Sequence, residues 1–199
     1  MKRELKPGNM LYPLPAVLVS CGDGNGVQNL LTIAWAGTVC SEPPMLSVSI
    51  RKDRFSHHLI EGSGEFVVNL VSERIAKAAD WCGVRSGRDH DKWKASGLTP
   101  AKTPNLEKAP AVAESPVWIE CRVRQILELG SHDMFLAEIV AVHIDEDYVD
   151  ENGAYDFGRM GLVAFNHGKY YKLRRDELGF FGFSVMKPKT AKRRRKQGK

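Results

Sequence analysis

Residues 32–51 read TIAWAGTVCSEPPMLSVSIR. The stretch begins and ends as β-strand, and two consecutive prolines, Pro43 and Pro44, interrupt it. Proline fixes φ, lacks an N–H and drives the preceding residue out of the helical region, so the pair predicts an extended link or a turn between two strands. Beyond it Met45, Ser47 and Ser49 alternate with Leu46, Val48 and Ile50, the period-two pattern of a half-buried strand. One face is apolar, the other is small and polar, and the strand finishes on Arg51. Packing accounts for the apolar face. A face of small residues lets a planar ligand approach the backbone and bond to its N–H and C=O groups.

On this reading Thr32, Ala34, Trp35 and Thr38 face a ligand before the prolines, and Ser49 and Arg51 after them. Arg51 and Arg54 offer guanidinium forks suited to phosphate. Ser56 and His57 start the next helix, where free N–H groups and the positive dipole end favour an anion. On spacing alone, a monophosphate cradle and a solvated basic loop with Ser56 as the helix N-cap stand equal.

Working outward, PAVLVSC at 15–21 is a short β-branched run, followed by GDGNG and the extended residues leading into Thr32. A dinucleotide-binding glycine loop needs a helix after it, and none is signalled here, so GDGNG is read as a hairpin turn. Towards the C-terminus the pattern predicts a short helix over 56–61 and a strand over 66–70. It then predicts a helix over 72–82 that opens at Ser72. A long polar segment follows, with a short helix over 89–96. Strands over 117–130 and 134–145 flank a turn at GSHD, residues 130–133. Many strands and few short helices favour an antiparallel, closed or partly closed barrel.

The chain has 199 residues, enough for one domain with a full core. No run approaches the roughly 18 apolar residues of a membrane span. The basic N-terminus has no apolar core of signal-peptide length, so the expected location is cytoplasmic. Cys21, Cys40, Cys82 and Cys121 form no CxxC pair, which argues against structural zinc and for small buried thiols. A reactive Cys82 is the alternative. The net charge of +5 belongs to the tail: Lys187–Lys199 holds eight basic residues and no acidic one, leaving −3 on residues 1–186. The expected organisation is one domain over 1–186 and a disordered, solubilising tail over 187–199. Nucleic-acid contact through that tail is the rival use.

The ordered set PAVLVSCGD, NLLTIAWAG, SEPPMLSVSIR, SHHLI, GEFVVNL, ADWCGVRSGRDHDKW and ELGSHDMFLAEIV resembles the flavin reductase-like, FMN-binding split-barrel family, and within it the flavoredoxin branch. The resemblance spans about residues 10–185. It implies a mainly β, Greek-key split barrel with short helices that binds FMN non-covalently and works as a homodimer. It implies that Thr32–Trp35 and Thr38 lie along the isoalloxazine. Ser49–Arg51, Ser56 and His57 then run towards ribityl and phosphate. Electrons would pass from NAD(P)H through FMN to a small-molecule or protein acceptor; an FMN carrier with no nicotinamide site is the alternative. Trp35 departs from the small residue of more distant flavin reductases. His132 and His167 are further residues to watch, Tyr170, Tyr171 and GFFGF at 179–183 suit a dimer interface or a core edge, and the loop Ser86–Asp91 is a candidate cover for the flavin.

Overall fold

A computed structural model describes residues 1–173 and 176–187. The quoted stretch forms the strands β4 (Ala36–Ser41) and β5 (Pro44–Arg51), after β1 (Leu14–Pro15), β2 (Val17–Gly22) and β3 (Gln28–Ile33). Ser41 pairs directly with Pro44, so Glu42 and Pro43 make a two-residue hairpin loop, with a cis bond between them. The double proline therefore turns the chain back on itself.

Then come α1 (Phe55–Ser63), β6 (Glu65–Leu70), α2 (Ala76–Val84) and α3 (Lys92–Ser96). Next are β7 (Pro100–Ala101), β8 (Ala111–Val112), β9 (Val117–Glu128), β10 (His132–Ile144), β11 (Val163–Asn166) and β12 (Lys169–Lys172). The main sheet has seven strands in the order β3-β2-β6-β9-β10-β5-β4, paired antiparallel throughout. Its edge strands β3 and β4 are consecutive in sequence, separated only by Ala34 and Trp35. The sheet must therefore curl until its edges meet at that corner. The Ser49 amide donates to the Trp35 carbonyl at 2.9 Å, fastening the corner to β5. No ladder joins β3 to β4 among the described residues, so the barrel closes at one corner and stays split elsewhere. Smaller sheets, β1-β11-β12 and β7-β8, flank it.

Alternation fills the barrel. Val17, Val19 and Cys21 of β2, Leu31 and Ile33 of β3, and Leu46, Val48 and Ile50 of β5 all point into one core with Phe66 and Phe135. Leu59 and Ile60 bring α1 onto the same core. Leu18 and Leu30 face the other way and pack beneath α2 and α3 with Val71, Ala79, Cys82 and Trp93. Strand β2 is thus buried on both faces, which explains its unbroken apolar run.

GDGNG is a hairpin turn. Asp23 Oδ1 accepts from the Asn25 and Val27 amides at 2.7 and 3.0 Å, and Gly24 and Gly26 take positive φ. Two helix starts differ from expectation. Ser72 does not open α2; it is buried and bridges to Leu162, and the Glu73 amide donates to Gly161, so pairing with a distant segment delays the helix to Ala76. The helix expected over 89–96 begins at Lys92, because Asp91 caps it by accepting from the Lys94 amide at 3.1 Å. In GSHD, His132 and Asp133 already belong to β10. No described helix is long and apolar enough to cross a membrane.

Candidate functional site

A cleft of about 600 Å³ opens beside the closed corner. One wall is the β3–β4 corner, Thr32, Ile33, Ala34 and Trp35. Ser49, Ile50 and Arg51 at the end of β5 continue it, with Arg54 just beyond. The opposite wall comes from α2, through Asp80, Gly83 and Val84. His132 of β10 and Phe165 and Tyr170 of the β11–β12 hairpin complete it. Eight of the eleven residues expected from sequence meet here.

The corner is shaped by small residues. The Ala36 amide donates to the Ala34 carbonyl at 3.0 Å, a very tight reversal that leaves Trp35 projecting and partly exposed. Helix α2 approaches β3 closely: a Cβ on Gly83 would lie 3.1 Å from the Thr32 Cβ. Thr32 Oγ1 donates to the Ala79 carbonyl, pinning the two walls together. Arg54 stands at the α1 N-terminus without a side-chain capping bond, and its Nη1 donates to the Gly83 carbonyl at 3.1 Å. Arg51 is half exposed and pairs with Asp53 at 3.5 Å. Two arginines thus share a cleft whose other lining mixes small, aliphatic and aromatic residues with one carboxylate, Asp80. Burial, with Asp80 nearby, pushes the Tyr170 phenol up to about 12, so it stays protonated and able to donate.

Three expected residues lie elsewhere. Thr38 sits on exposed β4, beside a bulge, and does not line the cleft. Ser56 is fully buried and accepts from Asn29 Nδ2 at 2.8 Å, so its hydroxyl is committed to the core side of α1. Arg54, not Ser56, holds the N-cap position. His57 is buried with its Nε2 2.8 Å from Asp133 Oδ2, tying α1 to β10. Ser56 and His57 are both buried in the first turn of α1, while Arg54 precedes the helix in extended conformation and lines the cleft.

The loop Ser86–Asp91 does not line this cleft either. Gly87 packs against Asn29 and Phe55, and Arg88 Nη1 donates to the Asp53 carbonyl at 2.8 Å. Cys82 is buried and burial pushes its thiol up, which makes it a packing residue. Asp80, Gly83 and Val84 were not expected at the site. Asp80 and Val84 lie on the α2 face away from Ala79 and Cys82, whereas Gly83 follows Ala79 by one turn and faces Thr32 of β3. Phe165 and Gly168 arrive only by folding of the distant hairpin.

A seven-stranded antiparallel barrel, split along one side with a cleft at its closed corner, defines the class of fold. The chain belongs to the flavin reductase like domain family, whose model matches residues 9–174. It is similar to the flavoredoxin of Desulfovibrio vulgaris (Miyazaki F), with 33% identity and a TM-score of 0.85 over 94% of this chain and 100% of that one. The flavoredoxin from Methanosarcina acetivorans is similar at 30% identity and a TM-score of 0.84, with the same coverage. An NADH:FMN oxidoreductase of Rhodococcus qingshengii is 24% identical over 161 residues, 81% of this chain and 76% of that protein.

Proposed function

We propose that the chain binds FMN in the corner cleft and works as an oxidoreductase that passes electrons from reduced nicotinamide to an acceptor. One observation carries the reading: the small side chains of Thr32, Ala34 and Ser49 line the same cleft as two arginines, Arg51 and Arg54. That donor set fits the cofactor. The small wall admits a flat ring, and the two arginines suit a phosphate dianion, which pairs with planar N–H forks. The similarity to flavoredoxins and to an NADH:FMN oxidoreductase supports the same reading.

FMN, when held by these residues, would supply the hydride- and electron-transfer chemistry. The chain's own part is to hold and orient. Thr32, Ala34 and Ser49 keep the wall flat, Arg51 and Arg54 fix the charged end, and Trp35 with His132 bounds the ring end. No side chain is asked to act as a general base.

A homodimer is part of the proposal. Phe181, Phe183 and Val185 expose apolar surface near the end of the described chain, which a second copy suits. Light scattering at micromolar concentration gives the mass directly. The cytoplasm is the proposed location. The expected basic tail falls almost wholly on Pro188–Lys199, outside the described residues.

The deciding experiment is an absorption spectrum of the purified protein, then anaerobic addition of NADH or NADPH. A flavin spectrum near one FMN per chain that bleaches with either nucleotide is the expected result. A colourless protein that does not bind added FMN overturns the proposal. A yellow protein that neither nucleotide reduces identifies an electron carrier instead.

A further inference from the structure

Lys92 is almost fully buried at the start of α3, yet it is a lysine and lies outside the cleft. Its Nζ donates to the Cys82 carbonyl at 2.7 Å and to the Leu30 carbonyl at 2.8 Å. The first belongs to the last turn of α2 and the second to β3, the elements that face each other across the cleft. The last carbonyls of a helix have no partner within it and carry its negative dipole end. In α2 two of these are met by cations: Cys82 by Lys92 and Gly83 by Arg54. Thr32 adds a third tie one turn earlier, at Ala79. The C-terminal half of α2 is therefore held down by three side-chain donors from other segments.

We propose that Lys92 is a positioning residue: its buried Nζ, which donates to both carbonyls as amine or as ammonium, ties α2 to β3 and so sets where Gly83 and Arg54 stand in the cleft. The proposal rests on the flavin-binding reading for its consequence, but not for its geometry. A methionine at 92 fills similar volume and leaves two buried carbonyls unmet, so α2 lifts and the Arg54–Gly83 contact loosens with it.

The tie carries a pH signature. Burial lowers the Lys92 ammonium to about 8, with Arg54 lowering it further and the thiols of Cys82 and Cys21 on the other side. Lifting α2 rehydrates the amine and returns it towards its ordinary value of 10.5. The closed arrangement then binds fewer protons than the open one, so closure strengthens as pH rises through about 8.

The test uses the full chain, wild type and Lys92→Met, with amide hydrogen exchange corrected for intrinsic rates and FMN titration by fluorescence. In the variant without flavin, exchange over Ala76–Val84 is expected to rise at least about tenfold while β9 and β10 amides stay within about twofold; FMN affinity falls about tenfold. In the wild type, protection of α2 grows from about pH 7 to 9, and this growth is absent in the variant. Equal α2 exchange in the two proteins, or a uniform rise across all elements, overturns the proposal. If the variant does not fold, a flat wild-type pH profile for α2 overturns it. Failure of wild type to bind FMN sinks the proposed function and leaves the exchange result to judge Lys92. Unchanged affinity and exchange beside a wild type that binds sinks Lys92 alone.

Discussion

His132 and Trp35 lie nearly parallel where both line the cleft, with ring centroids 6.2 Å apart and planes 12° from each other. They come from segments far apart in sequence, Trp35 from the β3–β4 corner and His132 from the first residue of β10. Ser131 Oγ lies 2.9 Å from His132 Nδ1 and orients the imidazole. An aromatic pair of this kind contributes about 0.5–1.5 kcal/mol beyond area burial. Trp35→Ala is therefore expected to weaken FMN binding about threefold to tenfold, read by fluorescence titration. An affinity within experimental error of wild type removes Trp35 from the ring end.

The arginine pair gives a sharper contrast. Loss of one charge-assisted contact costs about 1.5–3 kcal/mol. Arg51→Ala should reduce affinity for FMN by about tenfold or more while leaving riboflavin, which has no phosphate, nearly unchanged. Parallel titrations with the two flavins separate the cases. Equal losses for both would place the phosphate elsewhere.

The buried His57–Asp133 contact predicts a stability effect without a site effect. Asp133 also lies 3.4 Å from Lys52 Nζ, so its carboxylate links α1 to the loop before it. Asp133→Ala strands the His57 imidazole and should cost about 1–3 kcal/mol of unfolding free energy. Urea denaturation measures it, with the m-value unchanged. No loss of midpoint would mean that His57 finds another partner.

Two glycines should respond oppositely. A Cβ at Gly87 would meet Asn29 Oδ1 at 2.3 Å and the Phe55 ring at 2.7 Å, so Gly87→Ala must push the loop off its seat. The expected cost is about 1–3 kcal/mol. Gly62 lies within α1 with open space around it and no positive φ. There Gly62→Ala should gain about 0.4–1 kcal/mol by restricting the unfolded chain. Thermal melts of the two variants ought to move in opposite directions.

The pH dependence of global stability follows from groups displaced in opposite senses. Lys92 is lowered to about 8 when folded, so the unfolded chain binds the extra proton above that pH and stability rises. The Cys21 thiol is pushed up by burial to about 12 and Cys121 is raised too, both from an ordinary 9.0. Above pH 9 the unfolded chain therefore releases protons that the folded one keeps, and stability falls. The two trends predict a maximum between about pH 8 and 9; in Lys92→Met the rise on its acid side is lost and the alkaline fall remains. Denaturation midpoints from pH 6.5 to 10 test it; a monotonic profile in wild type contradicts the assignment.

Much of the fold was legible because strands and prolines leave local marks. The strand from Met45 to Arg51 followed from its period-two alternation, and β2 from its short apolar, β-branched run. The turn at GDGNG followed from residues that tolerate positive φ. The start of α2 was not legible, because Ser72 and Glu73 carry good helix-opening chemistry that bridges to Leu162 and Gly161 override. Thr38, Ser56 and His57 fall outside the cleft for a related reason. Spacing along a chain does not say which side of a curled sheet or helix faces a cleft.

By itself the sequence determined the antiparallel hairpins, the buried faces, the proline turn and the row of small residues that ends in two arginines. These depend on backbone preferences and on periodicity, which act within a few residues. Tertiary structure alone decided that α2 forms the opposite wall, that His132 stacks on Trp35, and that a lysine is buried to hold the wall in place. Each of these needs two segments far apart in sequence to meet. The curl that brings β3 and β4 to one corner is what makes them meet.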